Sequence, residues 1–264
     1  MANQHGDYIW YELLTSDADA ATAFYGKVVG WTVADSGTPG MDYRIINMGE
    51  NSVGGLMAIT PEMSGHGARP TWLGYVQVDD VDKAVTSIEH GGGTVTMPAM
   101  DIPTVGRIAM VADPQGAPFY IMKPATDEGT SLAFAYDVPR VGHCAWNELT
   151  TSDQAAAWHF YGTRFGWTKD GEMDMGPEMG TYDFIRHHGD TGGVIGAIMG
   201  GAPQWGPPRW TQYFRVPDID AAKAVIEAEG GSITNGPMEI PGGDYAMNAV
   251  DPQGVSFGLV GARV

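Results

Sequence analysis

The amino-acid sequence predicts an α+β protein in which tandem βαβββ modules, four in the chain, form two mixed-sheet domains. Three observations carry this. Trp10 to Trp31 (WYELLTSDADAATAFYGKVVGW) returns as Trp146 to Trp167 (WNELTTSDQAAAWHFYGTRFGW), 136 residues further on with nothing inserted or lost. Within each half, a strand, a helix and further strands are followed by the same pattern again. Finally, a chain with 43% hydrophobic and 10% aromatic residues gives halves of roughly 120 to 130 residues enough apolar surface for cores of their own.

Residues 8 to 14 alternate as a strand, with Trp10, Glu12 and Leu14 on one face and Ile9, Tyr11 and Leu13 on the other. A helix follows, with Ser16 and Asp19 as a capping box, Asp17 adding negative charge at the N-terminus, and Gly30 as its left-handed stop. Its expected apolar face is Ala20, Ala23, Phe24 and Val28. Residues 43–48 and 53–59 read as a hairpin around Gly49-Glu50-Asn51, after a Gly/Pro-rich loop at Ser36 to Gly40. Beyond a loop from Pro61 to Pro70, the pattern restarts with a strand over 72–78 and a helix over 81–90 ended by Gly91-Gly92-Gly93. A strand near 94–97 follows, then two strands flanking a type I turn at Asp113-Pro114-Gln115-Gly116.

The second half repeats this order. Tyr43 answers to Tyr182, Gly54-Gly55 to Gly192-Gly193, and Pro70, Trp72 and Tyr75 to Pro208, Trp210 and Tyr213. Asp80-Val81-Asp82 answers to Asp218-Ile219-Asp220, and the turn at Asp113, with Phe119, to Asp251-Pro252-Gln253-Gly254 with Phe257. The expected domains are therefore residues 1–124 and 141–264. Between them lies a linker, 125–140, whose Leu132, Phe134 and Tyr136 suggest packing rather than free motion.

Net charge is −18, from 32 acidic against 14 basic residues, so nucleic acid and anionic membranes are not expected partners. No segment approaches the ~20 apolar residues of a membrane span. A single Cys144 excludes an intramolecular disulfide, and MANQHGDYIW has no apolar run behind a basic cluster, so a cytoplasmic protein is expected. The expected partner is a small-molecule substrate or ligand. The halves are expected to pair within the chain, with a homodimer left open.

The doubled signature of a strand, an SD pair, a helix ending FYxxxxGW, and a DPxG turn resembles the vicinal oxygen chelate superfamily of glyoxalases, extradiol dioxygenases and bleomycin resistance proteins. It is closest to the two-domain, glyoxalase-like members. The resemblance implies that each sheet curls into a cup, typically holding a divalent metal on His, Gln or Glu side chains that acts as a Lewis acid. Carried over by position, the ligand sites fall on Trp10 and Trp146, near Met57, on Leu73 and Thr211, and on Tyr120 and Gly258. Indole offers no lone pair, and a Tyr and a Thr make too few donors for a divalent ion. No cofactor is therefore expected, with a divalent metal left open although its ligand positions are lost, and a standard metal-dependent glyoxalase I or dioxygenase is disfavoured.

If Trp10 and Trp146 face the cups, Glu12 and Glu148 do too, two residues along the same strand face. Each is a candidate general base or acid; the structural alternative is a carboxylate that holds neighbouring strands or an Arg. Trp10, Trp146, Tyr75, Tyr213, Tyr43, Tyr182 and Tyr120 are candidate substrate-binding walls, against the alternative of plain core. Arg215 is a candidate anion clamp, and Arg107 a second, against surface ion pairing. Adjacent His187 and His188 on a predicted strand would face opposite ways and not chelate together. With these residues, the resemblance implies a glyoxalase-like lyase or isomerase acting on a small carbonyl or oxygen-rich compound in an aromatic-lined cup without the usual metal; the alternative is a metal-free binding or sequestering protein of the bleomycin-resistance type.

Overall fold

The structure, a computed structural model, describes residues 2–38, 40–126, 129–136, 138–177, 179–189, 193–201 and 206–264. The first module runs β1 (Tyr8–Thr15), α1 (Ala18–Val28), β2 (Thr32–Asp35), β3 (Tyr43–Met48) and β4 (Asn51–Ala58). After a short helix, α2 (Pro61–Gly65), the second runs β5 (Thr71–Gln77), α3 (Val81–His90), β6 (Thr94–Ile102), β7 (Gly106–Ala112) and β8 (Pro118–Pro124). The third has β9 (Cys144–Thr151), α4 (Gln154–Phe165), β10 (Thr168–Asp174), β11 (Thr181–Arg186) and β12 (Val194–Gly200). The fourth has β13 (Arg209–Val216), α5 (Ile219–Ala228), β14 (Ser232–Glu239), β15 (Tyr245–Val250) and β16 (Ser256–Gly261).

The fold is α+β with mixed sheets. In every module the first and last strands lie side by side, giving the runs β2-β3-β4-β1, β5-β8-β7-β6, β10-β11-β12-β9 and β13-β16-β15-β14. The β1/β4, β5/β8, β9/β12 and β13/β16 pairs are parallel, the remaining neighbours antiparallel. A parallel pair needs a long crossover, and in each module the helix begins it.

The crossover helices share one starting device. Asp17, Asp80, Asp153 and Asp218 are their N-caps, each in extended conformation with its carboxylate accepting a first-turn amide. Such caps are worth about 1 kcal/mol apiece. In α1 the cap is Asp17, bonded to the Ala20 amide at 2.9 Å, and not the expected Ser16, which is exposed one residue earlier. The buried stripe also differs from expectation, being Ala18, Ala21, Phe24, Tyr25 and Val28, with Ala23 exposed. It keeps the i, i+3, i+4, i+7 spacing of a helix laid on a sheet.

Strand register corrects one pairing of the repeat. Gly54 lies where an added Cβ would stand 2.5 Å from the Tyr11 carbonyl oxygen, and Gly196 where it would stand 1.9 Å from that of Asn147. Tyr11 and Asn147 are equivalent in the repeat, so the counterpart of Gly54 is Gly196, with Ala197 opposite Glu148 as Gly55 is opposite Glu12. Gly192 lies outside the described residues. The shared glycine is required by close backbone approach, a constraint that residue similarity alone does not reveal.

The chain forms two compact units, and they do not coincide with the sequence halves. One comprises Met1–Ile9, Gly74–Ser131 and Trp146–Trp210; the other comprises Trp10–Leu73, Leu132–Ala145 and Thr211–Val264. The division 1–124, 125–140 and 141–264 thus describes the repeat along the chain, whereas each compact body combines a module from either half.

Within each unit the same device joins its two modules. Trp210 Nε1 donates to Tyr161 Oη at 3.0 Å, which donates to Asp113 Oδ2 at 3.0 Å. In the other unit, Trp72 Nε1 donates to Tyr25 Oη at 3.0 Å, and Tyr25 to Asp251 Oδ2 at 3.1 Å. The second oxygen of each Asp closes its DPQG turn, accepting the amides of Gln115 and Ala117, or of Gln253 and Val255, at 2.8–3.0 Å. Burial pushes both Tyr hydroxyls well above their ordinary range, and the nearby carboxylate adds to it, so they remain neutral donors. Phe257 packs at 5.3 Å from Tyr25, and Phe119 at 5.7 Å from Tyr161. In the linker, Phe134 is buried and bridges Cys144, as its apolar residues suggested.

Candidate functional site

On β9 the repeated Trp and Glu both meet a tyrosine from the third strand of their module, and on β1 the repeated Trp does. In the third module, Trp146 Nε1 donates to Tyr182 Oη at 2.7 Å, and Tyr182 Oη donates to Glu148 Oε2 at 2.8 Å. Trp146 and Glu148 are two residues apart on β9, so the pleat aims both to one face. Tyr182 on β11 reaches them across β12, and Phe184 packs edge-on against Trp146 at 6.1 Å. Trp146, Glu148 and Tyr182 are all half-buried.

The first module repeats the Trp–Tyr bond, with its Glu set deeper. Trp10 Nε1 donates to Tyr43 Oη at 3.0 Å, but Glu12 is only 3% exposed. Gly55 stands opposite Glu12, and an added Cβ there would lie 2.0 Å from Tyr43 Oη. The missing side chain lets the Tyr43 hydroxyl settle onto the strand, whereas the third module has Ala197 at that position.

Tyr75 and Tyr120 face each other on the parallel β5/β8 pair and stack with ring centroids 4.3 Å apart and planes at 15°. They belong to the same compact unit as Trp146, Glu148 and Tyr182. In the fourth module the partner of Tyr213 is Gly258, whose Cβ position lies 2.4 Å from the Tyr213 ring. Tyr213 Oη instead accepts Asn248 Nδ2 at 2.8 Å, a contact for which the sequence offered no signal. Arg215 is held by Asp244 at 2.8 Å, and Arg107 by Asp82 and Asp101. Both guanidiniums are thus engaged in the ion pairs weighed against their anion-clamp role.

The residues at the positions that the family resemblance assigns to a metal do not fit one. Trp10 and Trp146 present indole N–H donors that are already given to tyrosines. Tyr120 is stacked on Tyr75, and Gly258 offers no side chain under the Tyr213 ring. Hydrogen-bond donors and ring faces are the wrong chemistry for a cation needing several lone pairs.

His187 and His188 contradict the expectation of opposite faces. Strand β11 ends at Arg186, and His188 follows in the left-handed conformation, φ +64°. That turn abolishes strand alternation, leaving the two rings 3.9 Å apart. Both approach Asp7: His188 Nε2 at 2.6 Å and His187 Nε2 at 3.5 Å from Oδ1. Asp7 had carried no signal in the sequence. Among the described residues, one cavity of about 610 Å³ involves α3 and Arg164 and another of about 460 Å³ involves Thr150, Thr151, Gly206 and Pro207; neither is lined by Glu12 or Glu148.

Four βαβββ modules with acid- and aromatic-bearing strand faces define a class, and comparison with known proteins agrees. The model of the Glyoxalase/Bleomycin resistance protein/Dioxygenase superfamily matches residues 8–121 and 140–259, and the chain belongs to that superfamily. It is 32% identical over 254 residues to CFP32 of Mycobacterium tuberculosis (strain CDC 1551 / Oshkosh), a protein named provisionally as a glyoxylase, covering 95% of this chain and 93% of that one. It is also 32% identical over 278 residues to the anthracycline biosynthesis protein DnrV of Streptomyces peucetius, covering 96% and 92%. The fold is shared with the Mn(II)-bound glyoxalase of Novosphingobium aromaticivorans (TM-score 0.62, 18% identity, 98% of this chain and 82% of that one). It is shared as well with 2,2',3-trihydroxybiphenyl 1,2-dioxygenase of Sphingomonas wittichii RW1 (TM-score 0.64, 12% identity, 99% and 91%). Among the described residues, no helix is long and apolar enough to cross a membrane.

Proposed function

We propose that this chain is a glyoxalase-like enzyme of the lyase or isomerase type, acting on a small carbonyl or oxygen-rich compound without a metal in its cups. Glu148 is the proton-transfer group. The observation that carries this is the Trp146–Tyr182–Glu148 hydrogen-bond chain on a half-buried carboxylate. A base must be oriented by a neighbour and still be reachable; Glu148 meets both requirements, whereas Glu12, 3% exposed, is not reachable. Tyr182 acts as a positioning residue, and half-buried Trp146 serves as an aromatic wall, whereas Tyr75 and Tyr120 are each 5% exposed and belong to the core. The names of relatives, one a glyoxylase and one tied to anthracycline biosynthesis, favour a carbonyl-bearing compound.

The half-buried Trp146 ring, with Phe184 packed edge-on, supports a second reading, a binding protein of the bleomycin-resistance type in which a planar ligand is held by ring faces alone. Glu148→Gln separates the two. With candidate α-oxoaldehydes and oxygenated aromatics, an enzyme loses ~10²–10⁴-fold in turnover while affinity, by calorimetry, changes little. Ligand binding without turnover in the wild-type chain favours the binding protein.

A further inference from the structure

The geometry points to a divalent transition-metal site formed by Asp7, His187 and His188, outside the strand positions that the superfamily resemblance assigns to a metal. We infer a zinc-class ion held by two imidazole nitrogens and one carboxylate oxygen, clasping the segment before β1 to the turn after β11. This inference is independent of the proposed enzymatic reading.

Candidate ligand atoms of all three residues lie within 4.8 Å of one another. Two imidazoles with a carboxylate match zinc and its neighbours rather than calcium or magnesium, which prefer all-oxygen shells. At metal–ligand bonds of about 2.0–2.1 Å, two ligands of a tetrahedral ion stand roughly 3.3 Å apart. Asp7 Oδ1 and His187 Nε2 are separated by 3.5 Å, close to that spacing. The 2.6 Å contact between Asp7 Oδ1 and His188 Nε2 must open by less than about 1 Å to admit the ion.

His187 supplies the second indication. Its ring is over nine-tenths buried, its Nε2 lies 2.9 Å from the His5 carbonyl oxygen, and its Nδ1 has no hydrogen-bond partner among the described residues. Since a carbonyl only accepts, Nε2 carries the proton here. Shifting that proton to Nδ1 gives up the Nε2–H bond to the His5 carbonyl, breaks none at Nδ1, and presents the Nε2 lone pair to an ion. The His5 carbonyl oxygen then stands beside it as a candidate fourth donor.

Full-length protein freed of metal by chelation and dialysis, then titrated with zinc chloride by calorimetry and checked by elemental analysis, decides the matter. One zinc per chain is expected, with a rise in melting temperature. Asp7→Asn and His188→Asn each weaken it at least ~10-fold; Asn tolerates the left-handed backbone at 188, so that variant keeps the turn. Cobalt(II) in place of zinc should give tetrahedral visible absorption in the wild type and lose it in both variants. Absence of stoichiometric zinc in the wild-type chain, or unchanged zinc affinity in folded His188→Asn, overturns the proposal. Glu148→Gln should retain its zinc, which keeps the fate of this site separate from that of the proposed reaction.

Discussion

Tyr25, in the first half of the chain, donates its hydroxyl to Asp251 in the second at 3.1 Å, and Tyr161 in the second donates to Asp113 in the first at 3.0 Å. The motifs that mark the repeat, FY in the helix and DPQG in the turn, therefore complete each other across the halves within each compact unit. Neither half contains its own Tyr–Asp partner. Tyr161→Phe strips the acceptor from Trp210 and the donor from Asp113, both buried, and should destabilise by about 1–3 kcal/mol. Tyr25→Phe should cost a similar amount, read by chemical denaturation.

Stability should depend on pH through the same pair of acids. Burial is the main cause that raises the Asp113 and Asp251 pKa values, against hydrogen bonds that lower them. Between the ordinary carboxylate value and the raised one, the folded chain holds protons that the unfolded chain has lost, so this contribution falls as pH rises. Surface acids Asp42, Asp80, Asp170 and Asp220, held low chiefly by bonds to Arg44, the Lys83 amide, Arg186 and Arg263, act in the opposite sense. Comparing wild type with Asp113→Asn/Asp251→Asn cancels the surface term. The wild type should gain on the variant as pH is lowered from neutral toward about 4, a trend measurable by urea unfolding at several pH values.

Gly196→Ala forces a Cβ to within 1.9 Å of the Asn147 carbonyl oxygen, which belongs to a parallel strand that cannot yield. A loss of about 2–3 kcal/mol or more is expected. Gly54→Ala should behave alike, given its 2.5 Å approach to the Tyr11 oxygen. Gly65→Ala, at the end of α2 with nothing within 4 Å, should be neutral or slightly stabilising, and thermal melts of the three variants make the comparison.

Tyr182→Phe removes the bond that orients Glu148 without touching the carboxylate itself. Turnover should fall by roughly 10-fold or more with a displaced pH–rate profile, and less than in Glu148→Gln. Tyr43→Phe, next to the buried Glu12, should leave turnover near wild type.

Elements with strong local signals were legible before the structure. The helix expected over 81–90 is α3, because Asp80 caps it and glycines end it. The turn at Asp113 closes through the Gly116 amide as its residues imply. Which modules share a compact unit was not legible, since a helix's apolar stripe does not name the sheet it will cover. At the site, Trp146 and Glu148 stood out through strand periodicity, but their link through Tyr182 depends on register across β12. The histidine pair was misread because alternation assumes an extended backbone, which His188 abandons. Asp7 and Asn248 gain meaning only from chain-distant partners.

Proton exchange isolates the central claim, that Glu148 moves a proton without a metal in the cups. Chelator-treated protein in deuterium oxide is mixed with carbonyl candidates, and exchange of the hydrogen next to the carbonyl is followed by NMR. The account predicts exchange by the wild-type chain and by Glu12→Gln, reduced at least ~100-fold in Glu148→Gln. Equal exchange in wild type and Glu148→Gln, or exchange that in His188→Asn still appears only when a divalent metal is restored, would contradict it.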